Sequence, residues 1–182
     1  AGIVAADTNN GLGVAGICQH CSIIYAKAFN PLSKVPSYIY LTGAGAQVVN
    51  SSFKLHSTHL DHVPLPDCTN PDPVYASACA AVALMATRDI VHAAASGNGM
   101  YYPQYGDPRD ESPEKNTGRD NRITFPASDE RVIAVGAVDI TGNLASFSDH
   151  GPQLDVVAPG YKVLSTIDRG RNANLTWHCG DS

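Results

Sequence analysis

An α/β domain, with a mostly parallel sheet flanked by helices, is the fold class that this 182-residue sequence predicts. Three observations lead there. Short, continuously apolar runs rich in β-branched residues read as buried strands, stretches of helical length alternate with them, and the links between the two are short. Strands joined through helices in this way pair in parallel. In such a sheet the binding residues gather at the carboxyl ends of the strands.

The elements follow in order. "CSIIYAKAF", with Ile23 and Ile24 at its apolar centre, predicts a buried strand near residues 22–28. "SKVPSYIYLTGAGAQ" predicts a short helix: Ser33 is placed to cap it, Pro36 falls in its first turn, and glycines follow where it stops. "QVVNSS" reads as a second buried strand. "PVYASACAAVALMATR" begins at a proline after an acid, is rich in alanine and gives the strongest helix signal in the chain. "DIVHAAAS" predicts a third strand and, past a charged, Gly- and Pro-rich loop over about 99–122, "RVIAVGAVD" a fourth. The stretch from Ile140 to Ile167 reads as turns joining short strands. "GAGAQVVN" is no dinucleotide loop, because it lacks a third glycine and leads into a strand rather than out of one.

Composition narrows the function. A hydrophobic content of 43% is enough for one domain with a real core. The net charge of -5, with no cluster of Lys and Arg, leaves no basic face for nucleic acid. No apolar run has the length to span a bilayer, so no membrane partner is expected, and "AGIVAADTNN" reads like the inside of a domain rather than a signal peptide. Five cysteines favour an oxidising compartment, the secretory pathway or the cell exterior, and their odd number leaves at least one unpaired within the chain. Cys18-Gln-His-Cys21 has the spacing of half a zinc site or a redox pair, with no second Cys-x-x-Cys to complete it. A local disulfide or two free thiols are the alternatives, with Cys68–Cys79 as a second bridge. His56, His59 and His62, beside Asp61, read as solvated loop residues.

Chemistry enters with the last residues, "WHCGDS": an acid and a small residue just before a serine. "VVNSSF", "AAASGN", "FPASDERVIAVGAVDITGNLASFSDHG", "LDVVAPG" and "VLST" occur along the chain in the order found in subtilisin-like serine proteases, and the sequence resembles that family over almost its whole length. The resemblance implies a subtilisin-like fold, a single peptidase domain over residues 1–182 that is incomplete at both ends, and a triad in the chain order Asp, His, Ser. "CGDS" falls where the family has Gly-Thr-Ser, so Ser182 is the implied nucleophile. The aspartate and histidine are expected upstream of Ala1. His178, near Ser182 in sequence, reads as a loop residue, since adjacency along the chain does not make a nucleophile–base pair.

The same resemblance assigns the other site residues. Asn98, in the "ASGN" turn, is the implied oxyanion-hole donor; as a plain turn former it would merely end a strand. Ser52, Phe53 and Lys54, with Ala95, Ser96 and Gly97, would line a groove in which a peptide or protein substrate pairs as an added strand. Lys54 stands where the family usually has glycine, and either narrows the groove or points to solvent. "DTNNGLGV" resembles the family's calcium loop, with the Asn10 side chain and the carbonyls of Thr8, Leu12 and Val14 as ligands of a structural ion; a plain Asn-Asn-Gly turn is the other reading. No cofactor is expected for catalysis.

Asp181 departs from the family's threonine and has two readings. It repels the developing oxyanion, or it caps a helix that begins at the serine. Three functions are therefore weighed: a serine endopeptidase core, inactive without its missing segments or a complementary chain; a catalytically dead relative that keeps the groove as a peptide-binding or scaffold module; and a chymotrypsin-like hydrolase, which also carries Gly-Asp-Ser but is built from antiparallel barrels.

Overall fold

The computed structural model describes residues 2–11, 13–27, 31–53, 55, 68, 73–98 and 123–166. Lys54, the three histidines of the insertion, the loop over 99–122 and the segment that ends in Ser182 lie outside them. The elements run α1 (Gly2–Ala5), α2 (Pro31–Gly43), β1 (Val48–Ser51), α3 (Pro73–Ala86), β2 (Val91–Ala95), β3 (Ile133–Val138) and β4 (Val156–Pro159).

The four strands form one sheet in the order β1-β2-β3-β4, and every pairing is parallel. This ladder is the predicted α/β architecture and is incompatible with an antiparallel barrel. In register, Val49 lies beside His92, Ser51 beside Ala94, and Ala94 beside Ala134. Paired residues of a parallel sheet share a face, and all five are buried. That face carries α2 and α3, which pack on each other. The opposite face is more open: Val48, Val91 and Ile133 remain exposed.

Each helix has a local cause. α3 buries Tyr75, Ala78, Cys79, Ala81, Val82 and Met85, and its alanines allow the backbone to approach the sheet closely. α2 starts at Pro31, two residues before the predicted cap, so Pro36 sits inside the helix rather than in its first turn. Proline at the first helical position costs nothing, because its missing N–H would have had no partner there. Pro36 does remove one helical bond. Side-chain hydroxyls bond to carbonyls around it, Ser37 to Ser33 at 2.7 Å and Thr42 to Tyr38 at 2.8 Å. At the other end Gly45 takes a φ of 78°, and the amides of Gly45 and Ala46 reach back to the carbonyls of Thr42 and Leu41. That is a Schellman stop, and it is the physical use of the "GAGA" glycines.

The strand predicted over 22–28 does not form. Residues 21–27 carry no strand pairing, and Ile23, Ile24 and Tyr25 are exposed. β-branched apolar residues favour extended backbone, but a strand also needs a ladder partner, and none of the described residues supplies one here.

Ile123, Phe125, Ala127 and Val132, from the segment that leads into β3, complete the core against α3. The rings of Tyr75 and Phe125 meet edge to face, 6.0 Å between centroids. The Tyr75 hydroxyl donates to the Leu55 carbonyl, and the Leu55 amide donates to the Phe125 carbonyl. Phe125→Ala is expected to cost about 3–5 kcal/mol in urea unfolding, the range for emptying a buried aromatic site; a cost below about 1 kcal/mol would mean that this segment is not core. Both cysteine pairs are disulfides, Cys18–Cys21 and Cys68–Cys79, with Cα separations of 5.4 and 5.8 Å.

Candidate active site

The parallel register brings two predicted segments to the same end of the sheet. Ser51 is paired with Ala94, so Ser52 and Phe53 leave β1 at the level where Ala95, Ser96 and Gly97 leave β2. This is the carboxyl edge, where α/β sheets bind ligands. Ser52 is exposed and Phe53 is half-buried against the core. The Asn50 side-chain amide donates to the Ser52 hydroxyl at 3.0 Å.

The turn that carries Asn98 is held from β3 and from the loop before β4. The Ser96 amide donates to the Val135 carbonyl at 2.8 Å, and the Asp149 amide donates to the Gly97 carbonyl at 2.9 Å. Gly97 has a φ of 122°, a conformation that side chains other than glycine's rarely allow. Ser148 is buried at the centre: its hydroxyl accepts from the Ala137 amide at 3.0 Å and lies 3.4 Å from the Ser96 hydroxyl. Ser96 is thus turned into the protein, and its backbone is what it offers to a groove. Asn98 itself is half-buried. Ser148 and Asp149 were given no role by the sequence, although both lie in "ASFSDHG".

A second polar cluster sits directly behind the first segment and was not legible in the sequence. The Tyr38 hydroxyl of α2 lies 3.0 Å from the Ser51 hydroxyl, which lies 2.8 Å from His92 Nε2. All three side chains are buried. The ring of Tyr38 packs edge-on against His92 at 5.3 Å. Burial pushes the His92 imidazole down to about 4, against the opposing charge of Asp129, and raises the Tyr38 phenol while its bond to Ser51 acts the other way. A serine hydroxyl at this distance from a neutral imidazole is the geometry of a nucleophile and its base. Substrate has no access to it: Ser51 is 1% exposed and His92 3%. The nearby carboxylate, Asp129, is taken by Arg131, whose Nε and Nη2 donate to its two oxygens at 2.7 and 2.6 Å. Desolvation raises the Asp129 carboxyl, but the hydrogen bonds and charge of Arg131 outweigh it and hold the group below the usual carboxylate range.

Among the described residues one group has metal-ligand chemistry, Cys68, Cys79 and Asp129. Its two sulfurs are spent on each other as a disulfide, so it offers no soft-metal site. The predicted calcium loop lies between α1 and Cys18, with Leu12 outside the described residues. Its base is closed by the amides of Gly16, Ile17 and Cys18, which donate to the carbonyls of Ala6, Ile3 and Val4 at 3.0, 3.1 and 2.7 Å. A Cβ on Gly16 would lie 2.4 Å from the Ala6 nitrogen, so glycine is needed where the loop returns. Asn9, Gly11 and Gly13 are left-handed, which curls the loop. Thr8 and Val14 are half-buried and Asn10 is exposed. Backbone carbonyls and an asparagine amide offer oxygen alone, the donor chemistry that a hard cation takes.

Against known proteins, the chain matches the model of the subtilase family, peptidase family S8, over residues 1–180. It is 34% identical to a thermophilic serine proteinase of Bacillus sp. (strain AK1), over 97% of this chain and 37% of the relative. It is 34% identical to subtilisin DY of Bacillus licheniformis, over 96% of this chain and 54% of that one. An extracellular basic protease of Dichelobacter nodosus is 28% identical over 94% of this chain and 25% of its own length. The chain thus spans about a quarter to a half of the curated relatives it matches. Among solved structures, the protease domain of PatA superposes with a TM-score of 0.61 at 21% identity, covering 90% of this chain and 51% of that one, which shows a shared fold. The chain belongs to the subtilase family.

Proposed function

We propose that this chain is the core of a serine endopeptidase, acting on peptide or protein substrates through an acyl-enzyme at Ser182. The observation that carries the reading is the meeting of Ser52–Phe53 with the Asn98 turn at one carboxyl edge of a parallel sheet, in a member of the subtilase family. An extended peptide adds to the segment after β1 by main-chain hydrogen bonds. The Ser182 hydroxyl attacks the scissile carbonyl, its proton passes to a histidine expected upstream of Ala1, and the negative charge that gathers on the carbonyl oxygen is met by the Asn98 side-chain N–H. The base returns the proton to the leaving amine, and water then frees the acyl group.

On this reading the base lies outside these 182 residues, and the isolated 182-residue chain is expected to hydrolyse no peptide. The full natural polypeptide is expected to cleave an unstructured protein substrate, and Ser182→Ala to abolish that cleavage. Full activity in Ser182→Ala would refute the assignment. Asp181 and Lys54, which both depart from the family's residues, support the second reading, a non-catalytic peptide-binding or scaffold module; peptide binding without cleavage by the full polypeptide would favour it. Asp181→Thr is expected to raise turnover at neutral pH by removing a carboxylate beside the oxyanion, where low dielectric enlarges the repulsion. Equal rates would instead fit a helix-capping aspartate.

A structural calcium at Thr8, Asn10, Leu12 and Val14 belongs to the same reading, supported by the oxygen donors and the curled loop; the ion would stiffen the loop and take no part in the chemistry. Secretion is supported by the two disulfides and by the relative named an extracellular protease. No helix among the described residues is long and apolar enough to cross a membrane.

A further inference from the structure

The ladder that holds β1 to β2 ends at Ser51, one residue before the segment assigned to the substrate. Beyond that point the chain is fixed by side chains. Ser51 turns inward and is tied to Tyr38 and His92 at 3.0 and 2.8 Å. Phe53 also turns inward: its ring lies 6.2 Å from that of Tyr38, and Lys34 Nζ stands 4.4 Å from its centroid. Ser52, between them, faces out. Tyr38 and Lys34 are one helical turn apart on α2, so a single helix grips the residues on both sides of Ser52.

We propose that Tyr38 is a positioning residue, which with Lys34, Ser51 and His92 clamps the segment Ser51–Phe53 from behind and so sets the affinity for an extended peptide without touching it. The inference rests on the reading of Ser52 and Phe53 as groove residues. Its physical basis is preorganisation. A peptide that pairs with a backbone segment must meet amides and carbonyls already held in the extended conformation, and any freedom left in that segment is lost on binding and weakens it. Lys34 is well suited to the task. Its stem is buried, and desolvation brings its ammonium down to about 8, so the aromatic ring stabilises a charge that has few waters of its own.

Tyr38→Phe isolates the clamp, because it keeps the ring packing against Phe53 and His92 and deletes only the hydroxyl bonded to Ser51. The test uses the full natural polypeptide carrying Ser182→Ala, so that nothing is cleaved, and a fluorescent decapeptide of unstructured sequence whose binding is read by anisotropy. Tyr38→Phe is expected to weaken Kd about 3- to 10-fold, the worth of one hydrogen bond, with the bound stoichiometry unchanged. Ser51→Ala, which removes the bonds to both Tyr38 and His92, should weaken it at least as much, and adding Tyr38→Phe to it should cost little more, because that contact is already gone. A purely structural role would lower the fraction of protein that binds and leave Kd alone, which would overturn the proposal, as would an unchanged Kd in Tyr38→Phe or no binding at all. Cleavage is read separately with Ser182 intact. A polypeptide that binds peptide with this Tyr38 dependence and cleaves nothing would retain the clamp and refute the protease reading.

Discussion

Asn98→Ala in the full polypeptide is expected to lower kcat about 100- to 1000-fold while KM stays within about 2-fold; the range is borrowed from the equivalent donor in subtilisin. The split between the two constants is the informative part. The substrate carbonyl is neutral when it binds and negative only as the serine attacks, so a donor aimed at the oxyanion acts mainly in the transition state. The backbone of the turn is held by the Ser96–Val135 and Asp149–Gly97 bonds, with Ser148 behind them. Truncation therefore leaves the backbone in place, and the melting temperature is expected to move little. Steady-state kinetics beside a thermal melt checks both. A large drop in melting temperature with proportionate losses in kcat would instead make Asn98 a strand-ending residue and nothing more.

Acid is expected to destabilise the fold through His92. Its folded-state value lies near 4, below the ordinary 6.5, so between these two values the unfolded chain takes up a proton that the native imidazole refuses. The His92 contribution is thus fully present above pH 6.5, is lost as pH falls from about 6.5 to about 4, and changes no further below that. The whole shift corresponds to about 3 kcal/mol. The Asp129 carboxyl, held low by Arg131, loses its contribution only below the ordinary carboxylate range and leaves this window to the histidine. Urea unfolding at pH 7 and pH 4.5, in the natural sequence and in His92→Leu, isolates the effect, because the other carboxylates titrate alike in both. The natural sequence should lose about 2–3 kcal/mol more than the variant. Parallel losses would show that the imidazole is charged or solvated in the native state.

The parallel sheet was legible because three of its strands lie in apolar runs whose length and β-branched content leave little choice, and because α3 announces itself by alanine and by the proline that starts it. Where the sequence misled, tertiary context decided. Ile23 and Ile24 carry strand propensity without a neighbouring strand among the described residues, and Pro36 lies inside α2, not in its first turn, because the helix begins at Pro31. That Ser52, Phe53 and Asn98 lie at one edge of the sheet was readable from motifs that combine a strand with the turn that ends it. The Tyr38–Ser51–His92 cluster was not. Its members come from α2, β1 and β2, the farthest pair 54 positions apart in sequence (92 against 38). Ser51 sits among polar neighbours at a strand's end, Tyr38 in a helix with a second tyrosine, and His92 in an alanine-rich strand, so no spacing rule links them. Ser148 was hidden in a different way: the motif that holds it marks the family, and only the fold shows it gripping the Ala137 amide behind the Asn98 turn.

Ser182 is expected to be the nucleophile of the full polypeptide. A serine-directed phosphonate, added to the full natural polypeptide and followed by peptide mass mapping, tests it most directly. One phosphonyl group per molecule is expected, carried on Ser182, and none in the isolated 182 residues if the base lies outside them. Labelling of a different serine, no labelling of a folded full-length polypeptide, or stoichiometric labelling of Ser182 in the isolated chain would contradict it.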